Sequence, residues 1–349
     1  MRITAPTWLL FALAIFLVSS CWNPAAARER DLEPVSTVSL SPQILEFLRW
    51  LPADTETVAV TQVPIVLPAE KEWYEPEPEY FTRRVSDYCG LLPGYTWAKG
   101  LKLDRVVSGS RNFRTPTNMG ASLFDGCSVM VIAEDSPISD RQIMQEASIN
   151  CDFKEREFGL EILCFKKQIM DDAWTFYMCS VSPDIILWAS DRRYLHELLA
   201  RRKAKTERQA FLPSSELWRN LDVRSDFFAL RDFRKCKSPR TYLNPTLLFE
   251  PTDGREYIDK RPVGYRVSYK CSTTTLEETY ISYDLKAQKI REYYQTHSES
   301  VNHDRGPCRV NYSSGTWLNV STDVSKGSRD DRFVFVLFAL LCLGHALVV

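Results

Sequence analysis

Apolar segments with the length of β-strands recur through the middle of this 349-residue chain and limit most strongly the folds open to it. "CSVMVIAE" at residues 127–134 and "DIILWAS" at residues 184–190 are apolar runs of strand length. Between them, "FGLEILCFKK" and "AWTFYMCSVS" are typical of the two arms of a β-hairpin. Since hairpin arms pair antiparallel, this region predicts an antiparallel sheet.

Helix signals separate these strands. Ser139 and Gln142 have the spacing of a capping box at the start of a helix over residues 138–147. Asp191 begins a second helix, whose leucines share one face. Nearer the N-terminus, Ser41 suits the N-cap of a further helix. From residue 127 onward the predicted order of elements is therefore β-α-β-β-β-α.

A second cycle of alternating segments follows, with "SDFFALRDF", "PVGYRVSYKC" and "LEETYISYDLK" as its strands. The whole pattern predicts an α+β fold of antiparallel sheets with helices packed on one side. We favour two ferredoxin-like units, and one continuous sheet across both is the alternative.

The N-terminus has the form of a secretory signal. Arg2 supplies the positive charge, and "WLLFALAIFLV" is an apolar stretch of the usual length. "VSSC" resembles a bacterial lipobox in which Cys21 would carry lipid, whereas "AAA" before Arg28 fits ordinary cleavage. Cleavage is thus expected after residue 20 or after residue 27.

The C-terminal segment "FVFVLFALLCLGHALVV", residues 333–349, has no charged residue. It is short for a spanning helix, which needs about 20 apolar residues, although tilting or bilayer thinning accommodates such a segment. A processed lipid-anchor signal has the same apolar end. We therefore expect either a minimal anchor or a tail exchanged for lipid. The predicted organisation is a signal peptide (1–27), an α+β domain (28–210), a second α+β unit (211–310), a polar spacer (311–332) and this segment (333–349).

Cysteine usage supports export. The chain has 10 cysteines, of which Cys21 lies in the signal and Cys342 in the tail. An even remainder in an exported chain predicts disulfide bonds, whose pairing the sequence leaves open. Small buried thiols are the alternative. The sequons at Asn311 and Asn319 predict N-glycosylation if the host is eukaryotic. The candidate disulfide cysteines are Cys89, Cys127, Cys151, Cys164, Cys179, Cys236, Cys271 and Cys308.

The sequence contains none of the familiar catalytic motifs. It lacks G-x-S-x-G, the phosphate-binding glycine loops, H-E-x-x-H and C-x-x-C. We accordingly predict no catalytic residue, no metal ligand and no cofactor, and consider an enzyme less favoured than a non-enzyme. The net charge of -1 disfavours a nucleic-acid partner.

Two surface segments are candidates for binding. Trp73, Tyr74, Tyr80 and Phe81 flank an acidic, proline-rich stretch, where they predict either a protein- or glycan-binding patch or anchors for a long loop. The basic run "RRKAKTER", residues 201–208, ends a helix, where positive charge complements the helix dipole. Contact with a lipid headgroup or polyanion is the alternative interpretation of this run.

Three segments carry a resemblance: "WLPADTETVAV", "IILWASDRRYLHELLAR" and "FLPSSELWRNLDVRSDFFALRDF". They resemble uncharacterised exported bacterial proteins that share an N-terminal "LPADT" segment and repeated strand and helix units. The resemblance implies export and an α+β fold, and no activity. The sequence thus favours a membrane-tethered protein, its body on the extracytoplasmic side, with a structural or binding role and an unknown protein or glycan partner. A secreted hydrolase with an unrecognised pair of carboxylates is the alternative.

Overall fold

The structure, a computed structural model, describes ten stretches of the chain. They are residues 40–62, 65–66, 101–114, 123–169, 172–206, 216–218, 221–235, 262–282, 308–314 and 317–323. The predicted signal peptide, the aromatic stretch at Trp73–Phe81 and the apolar segment 333–349 lie outside the described residues. No helix among those described is both long enough and apolar enough to cross a membrane.

Three helices and thirteen strands form the described fold. The helices are α1 (Pro42–Trp50), α2 (Asp140–Asn150) and α3 (Arg192–Lys203), with short 3-10 turns at Glu216–Trp218 and Phe233–Lys235. The strands are β1 (Thr57–Thr61), β2 (Ile65–Val66), β3 (Lys102–Arg114), β4 (Leu123–Ile132), β5 (Phe153–Glu157), β6 (Leu160–Ile169), β7 (Asp172–Ser182), β8 (Ile185–Ala189), β9 (Phe227–Asp232), β10 (Pro262–Lys270), β11 (Thr275–Ser282), β12 (Cys308–Ser314) and β13 (Trp317–Asp323).

All thirteen strands belong to one sheet, in the order β12-β13-β11-β10-β9-β1-β3-β4-β8-β7-β6-β5, with β2 paired to β3. Every pairing is antiparallel, so the predicted α+β fold with an antiparallel sheet is confirmed. The described strands form one continuous sheet rather than two separate ones, because β1 pairs with β3 on one side and with β9 on the other. Residues 317–323, within the predicted spacer, form β13.

Helices cover both faces of the sheet, so the expectation that they pack on one side is wrong. Along β4, Val129 faces the core beneath α1 and α3, whereas its neighbour Met130 faces the core beneath α2. Successive side chains of a strand point to opposite faces, so a continuous apolar run such as "CSVMVI" requires cover on both. That run itself signalled a sheet covered on both faces.

The capping signals read from the sequence are present in the structure. The Ser41 side chain accepts from the backbone N–H of Ile44 at 3.3 Å and begins α1. Ser139 and Gln142 form both halves of the capping box of α2. Asp191 Oδ1 accepts from the N–H of Tyr194 at 2.7 Å and begins α3. The starts of all three helices are therefore fixed by local chemistry.

Candidate functional site

The "LPADT" segment is a tight turn that joins the end of α1 to β1. Both the N–H and the hydroxyl of Thr55 donate to the carbonyl oxygen of Pro52, at 3.1 and 2.7 Å. The Thr55 hydroxyl also lies 2.8 Å from the hydroxyl of Tyr194 on α3. Leu51 is fully buried in the core beneath these helices. The turn therefore fixes α1 relative to α3.

Arg111 of β3 closes this junction, and we call its contacts the Arg111 network. Its guanidinium donates to Asp54 at 2.6 Å and forms two hydrogen bonds to Glu197 of α3, at 2.9 and 2.8 Å. It also lies 5.2 Å from the ring centre of Tyr194. Burial lowers the pKa of Arg111, but the hydrogen bonds to Glu197 and Asp54 outweigh it and raise that pKa. Both terminal nitrogens of this guanidinium thus bond to carboxylates, while its buried Nε has no hydrogen-bond partner among the described residues.

Two further basic side chains, at the end of β9 and just after it, contact the "LPADT" turn and the residue that follows it. The Lys235 ammonium donates to the carbonyl oxygens of Ala53 and Thr55, at 3.1 Å each. Arg231 of β9 is buried, and its guanidinium lies 3.9 Å from the carboxylate of Glu56. Described parts of the three segments that carry the resemblance therefore meet at one junction.

A second polar region lies between α1 and the end of α3, and we call it the basic pocket. It is a concavity of about 650 Å³. Trp50 forms an apolar wall, and the guanidinium carbon of Arg202 lies 5.2 Å from its ring centre. The lining residues are Pro42, Glu46, Arg49, Trp50, Arg202, Lys203, Lys205 and Thr206.

The four cations of the basic pocket have no carboxylate partner among the described residues. Arg49, Arg202, Lys203 and Lys205 form no ion pair there, and Glu46 is the single acid of the lining. One Arg202 nitrogen, Nη2, donates to the carbonyl oxygen of Val181 at 2.7 Å. Its Nε is buried and has no hydrogen-bond partner. Among the described residues, positive charge is thus concentrated here, with Glu46 as the one carboxylate in the lining.

The end of α3 places a lysine where glycine is usual. The N–H of Thr206 donates to the carbonyl of Arg201 at 3.2 Å, and the N–H of Lys205 donates to that of Arg202 at 3.1 Å. These two bonds form a Schellman motif, which puts Lys205 in the left-handed region at φ 49°. A non-glycine residue there costs roughly 1–2 kcal/mol. The motif directs an additional cation into the basic pocket.

A smaller concavity of about 390 Å³ lies nearby, lined partly by Glu157, Arg192 and His196. The Glu157 carboxylate bonds both to Arg192 and to His196 Nδ1. Burial raises the pKa of Glu157, but these two hydrogen bonds outweigh it and lower that pKa. His196 lies on α3. Its partner lies 39 residues away in sequence, on β5.

Four of the predicted disulfide cysteines are thiols in the structure. Cys127, Cys151, Cys164 and Cys179 form no disulfide. Cys151 and Cys164 pack against cores on opposite faces of the sheet. Cys127 and Cys179 lie on strands separated by β8, about 10 Å apart, which exceeds disulfide reach. At these positions the structure differs from the predicted framework and agrees with the alternative of buried thiols.

The remaining predicted residues are only partly described. Cys271 is buried, and its N–H donates to Asp226 at 2.7 Å. Asn319 lies in β13 and its amide donates to Thr279 at 2.9 Å. The backbones of Cys308 and Asn311 lie in β12. The predicted lipidation site, the two other cysteines and the aromatic patch lie outside the described residues; they are Cys21, Cys89, Cys236, Trp73, Tyr74, Tyr80 and Phe81.

Within the described part of the chain, no group of three or more histidine, cysteine, aspartate or glutamate side chains has the arrangement of a metal site. The four cations without an ion-pair partner among the described residues make the basic pocket the candidate functional site. Its basic run, 201–208, was visible in the sequence. Its proximity to Arg49 and Trp50 was not, because 150 residues lie between Trp50 and Arg201 in the sequence.

Comparisons with known proteins show limited similarity. No protein-family model matches the sequence, and no curated protein matches it significantly. Among solved structures, crystal form I of TP0453 is similar with a TM-score of 0.48 and 8% identity, covering 87% of this chain and 99% of that one. Crystal form III of TP0453 gives a TM-score of 0.40 and 7% identity, covering 86% and 99%.

Proposed function

We propose that this chain is a membrane-tethered, extracytoplasmic binding protein that holds an anionic ligand in the basic pocket. One observation carries the proposal: four cations surround a single concavity and, among the described residues, no carboxylate pairs with them. The tether itself is proposed from the apolar ends of the sequence, which lie outside the described residues.

The chemistry of the basic pocket suits an anion with an apolar part. Like charges held close together repel, so an arriving anion gains energy from several cations at once. Arginine adds planar donors that match the oxygens of phosphate or carboxylate. The indole of Trp50 is 7% exposed and adds a small apolar surface beside them.

Helix dipoles explain only part of this charge. Basic side chains favour helix C-termini, and Arg201 Nε donates to the carbonyl oxygen of Arg49, in the last turn of α1, at 3.0 Å. Lys205, by contrast, lies beyond the last helical turn, in a strained conformation that glycine would adopt without cost. Its presence there supports a role in the pocket.

The secreted hydrolase remains the alternative proposal, and no specific observation favours it. A catalytic acid of that kind needs a carboxyl group whose pKa is raised. Among the described residues, each carboxyl group with a resolved shift has a lowered pKa; these groups are Asp135, Glu157 and Asp222. Cations explain all three shifts, since Lys102, Arg192 with His196, and Lys270 are their respective partners.

Calorimetric titration of the full chain with phenyl phosphate tests the proposal. This probe combines a phosphate for the cations with a ring for Trp50. We expect saturable binding, weakened about tenfold by Arg49→Gln and by Lys205→Gln, since each variant removes one cation worth about 1.4 kcal/mol.

The matched control for this titration is Lys102→Gln. Lys102 is a partly exposed lysine paired with Asp135 at 2.7 Å, and it does not line the basic pocket. The control should bind phenyl phosphate as the wild type does. Absence of binding to the wild type, or equal loss in all three variants, would contradict the proposal.

A further inference from the structure

We infer that the anion bound by the basic pocket is the phosphate headgroup of a phospholipid in a bilayer, and that the adjacent Phe158 inserts into the bilayer surface. This inference rests on the proposed function and adds the source of the ligand. It makes the end of the sheet at the β5–β6 turn a membrane-facing surface.

The first observation is an exposed aromatic ring at the tip of a hairpin. Phe158 and Gly159 form the two-residue turn between β5 and β6, with Glu157 paired to Leu160. Both turn residues have positive φ, at 48° and 82°. Turns of this kind favour asparagine, aspartate or glycine at such positions.

Phenylalanine is an unfavourable residue for this turn because of its backbone conformation and its exposure. It adopts a positive φ of 48°, which is unfavourable for a bulky residue, and it remains 37% exposed at the tip of the hairpin. An outlier that folding does not explain is grounds for a functional hypothesis. A large apolar ring at an exposed tip suits insertion among lipid headgroups, where aromatic side chains are favourable.

The second observation places this ring beside the basic pocket. The Lys203 ammonium, which lines the pocket, lies 5.3 Å from the ring centre of Phe158. Phe158 also lies 5.5 Å from the exposed His196 ring. The unpaired cations and the exposed apolar tip are thus neighbours on one surface, which is the combination that binds an anionic membrane surface.

Nearby acids do not cancel this charge. Glu155 and Glu157 are both bonded to Arg192, and Glu157 also to His196. Glu46 lies in the pocket itself, opposite four cations. Among the described side chains, the four cations of the pocket and Arg192 thus outnumber the carboxylates of Glu46, Glu155 and Glu157, which leaves the surface net positive.

The test uses the full chain reconstituted into two kinds of vesicle, phosphatidylcholine alone and phosphatidylcholine mixed equally with phosphatidylglycerol. Any tether inserts in both, so the difference between them reports docking of the body. We expect amide hydrogen exchange at residues 157–160 and 203–206 to slow several-fold only with phosphatidylglycerol, and exchange in α2 to stay unchanged.

Two matched variants sharpen the test. Phe158→Asn suits the positive φ, so it keeps the turn while removing the ring, and it should abolish the lipid-dependent protection at 157–160. Ile149→Asn removes an apolar side chain that is 78% exposed on α2, on the opposite face of the sheet. This control should leave the protection as it is in the wild type.

The outcomes separate this inference from the proposed function. If phenyl phosphate binds but the two vesicles give equal exchange, the lipid inference is overturned and the proposed function stands. If neither phenyl phosphate nor phosphatidylglycerol has an effect, both are overturned. Protection that survives Phe158→Asn unchanged would overturn insertion of the ring.

Discussion

Helix α3 contributes to two polar regions. Positive charge is paired with carboxylates in one of them and is not in the other. In the Arg111 network, one buried guanidinium meets two carboxylates, those of Asp54 and Glu197. In the basic pocket, four cations meet no carboxylate partner among the described residues. A paired, buried cation stabilises the fold, whereas unpaired cations at a concavity are available to a ligand. The comparison therefore predicts that the two regions respond differently to mutation.

The largest effect is expected from Arg111→Met. Removal of the guanidinium breaks a buried ion pair, and we expect unfolding to become easier by about 3 kcal/mol. The value lies at the low end for such pairs because the Asp54 and Glu197 side chains are 44% and 45% exposed and regain water. Urea denaturation measures the change. The matched variant Arg49→Met should lower stability by less than about 1 kcal/mol. Equal losses in the two variants would contradict the proposed difference between the network and the pocket.

Close packing of Gly109 against Tyr194 and Leu51 adds a second test of the Arg111 network. An alanine Cβ at Gly109 of β3 would meet the Tyr194 hydroxyl and lie 2.8 and 2.9 Å from the Leu51 methyl carbons. Gly109→Ala should therefore cost about 2 kcal/mol through overpacking. Since Tyr194→Phe removes the clashing oxygen, the double variant should lose less than the sum of the single variants. Additive losses in urea denaturation would contradict this contact.

In the basic pocket, one substitution should move stability and binding in opposite directions. Lys205→Gly relieves the positive φ of 49° and should raise stability by about 1 kcal/mol. It also removes a cation, so phenyl phosphate should bind about tenfold more weakly. Thermal unfolding and calorimetry measure the two effects. A stabilised variant with unchanged affinity would remove Lys205 from the site.

The smallest effect concerns acid stability. The pKa of Glu157 is lowered in the folded protein, so its contribution is present above the unfolded pKa and lost as pH falls through the folded value. Glu157→Gln should therefore flatten the fall in stability with acid below about pH 4.3, by a few tenths of a kcal/mol. Urea midpoints across acidic pH measure this. A fall as steep as in the wild type would show that Glu157 gains nothing from Arg192 and His196.

Local chemistry explains what could be predicted from the sequence. The side chains of Ser41, Ser139 and Asp191 cap helices through contacts with residues three positions later in the sequence. The strands were predictable because apolar residues alternate with polar ones or form short runs. The predicted placement of helices on one face was wrong, although the apolar run at residues 127–132 indicated a sheet covered on both. The run is a weak signal because a strand buried on both faces and a strand buried on one face differ only in whether a few positions are apolar or polar.

The candidate site was less predictable because it depends on distant parts of the chain. Arg49 and Lys203 line one pocket although they lie on different helices, and nothing local relates them. The strained Lys205 was hidden for another reason, since glycine, the usual signal of that helix ending, is absent there. Likewise, Glu157 on β5 and His196 on α3 are in contact only because of the tertiary structure.

Anomalous diffraction from crystals of this protein soaked in tungstate tests the central comparison most directly. Tungstate is a tetrahedral dianion that resembles phosphate, and its scattering reveals every occupied anion site at once. We expect a peak in the basic pocket within hydrogen-bond reach of Arg202 and Lys205, and none at Arg111. A peak beside Arg111, or an empty basic pocket with tungstate bound elsewhere, would contradict it.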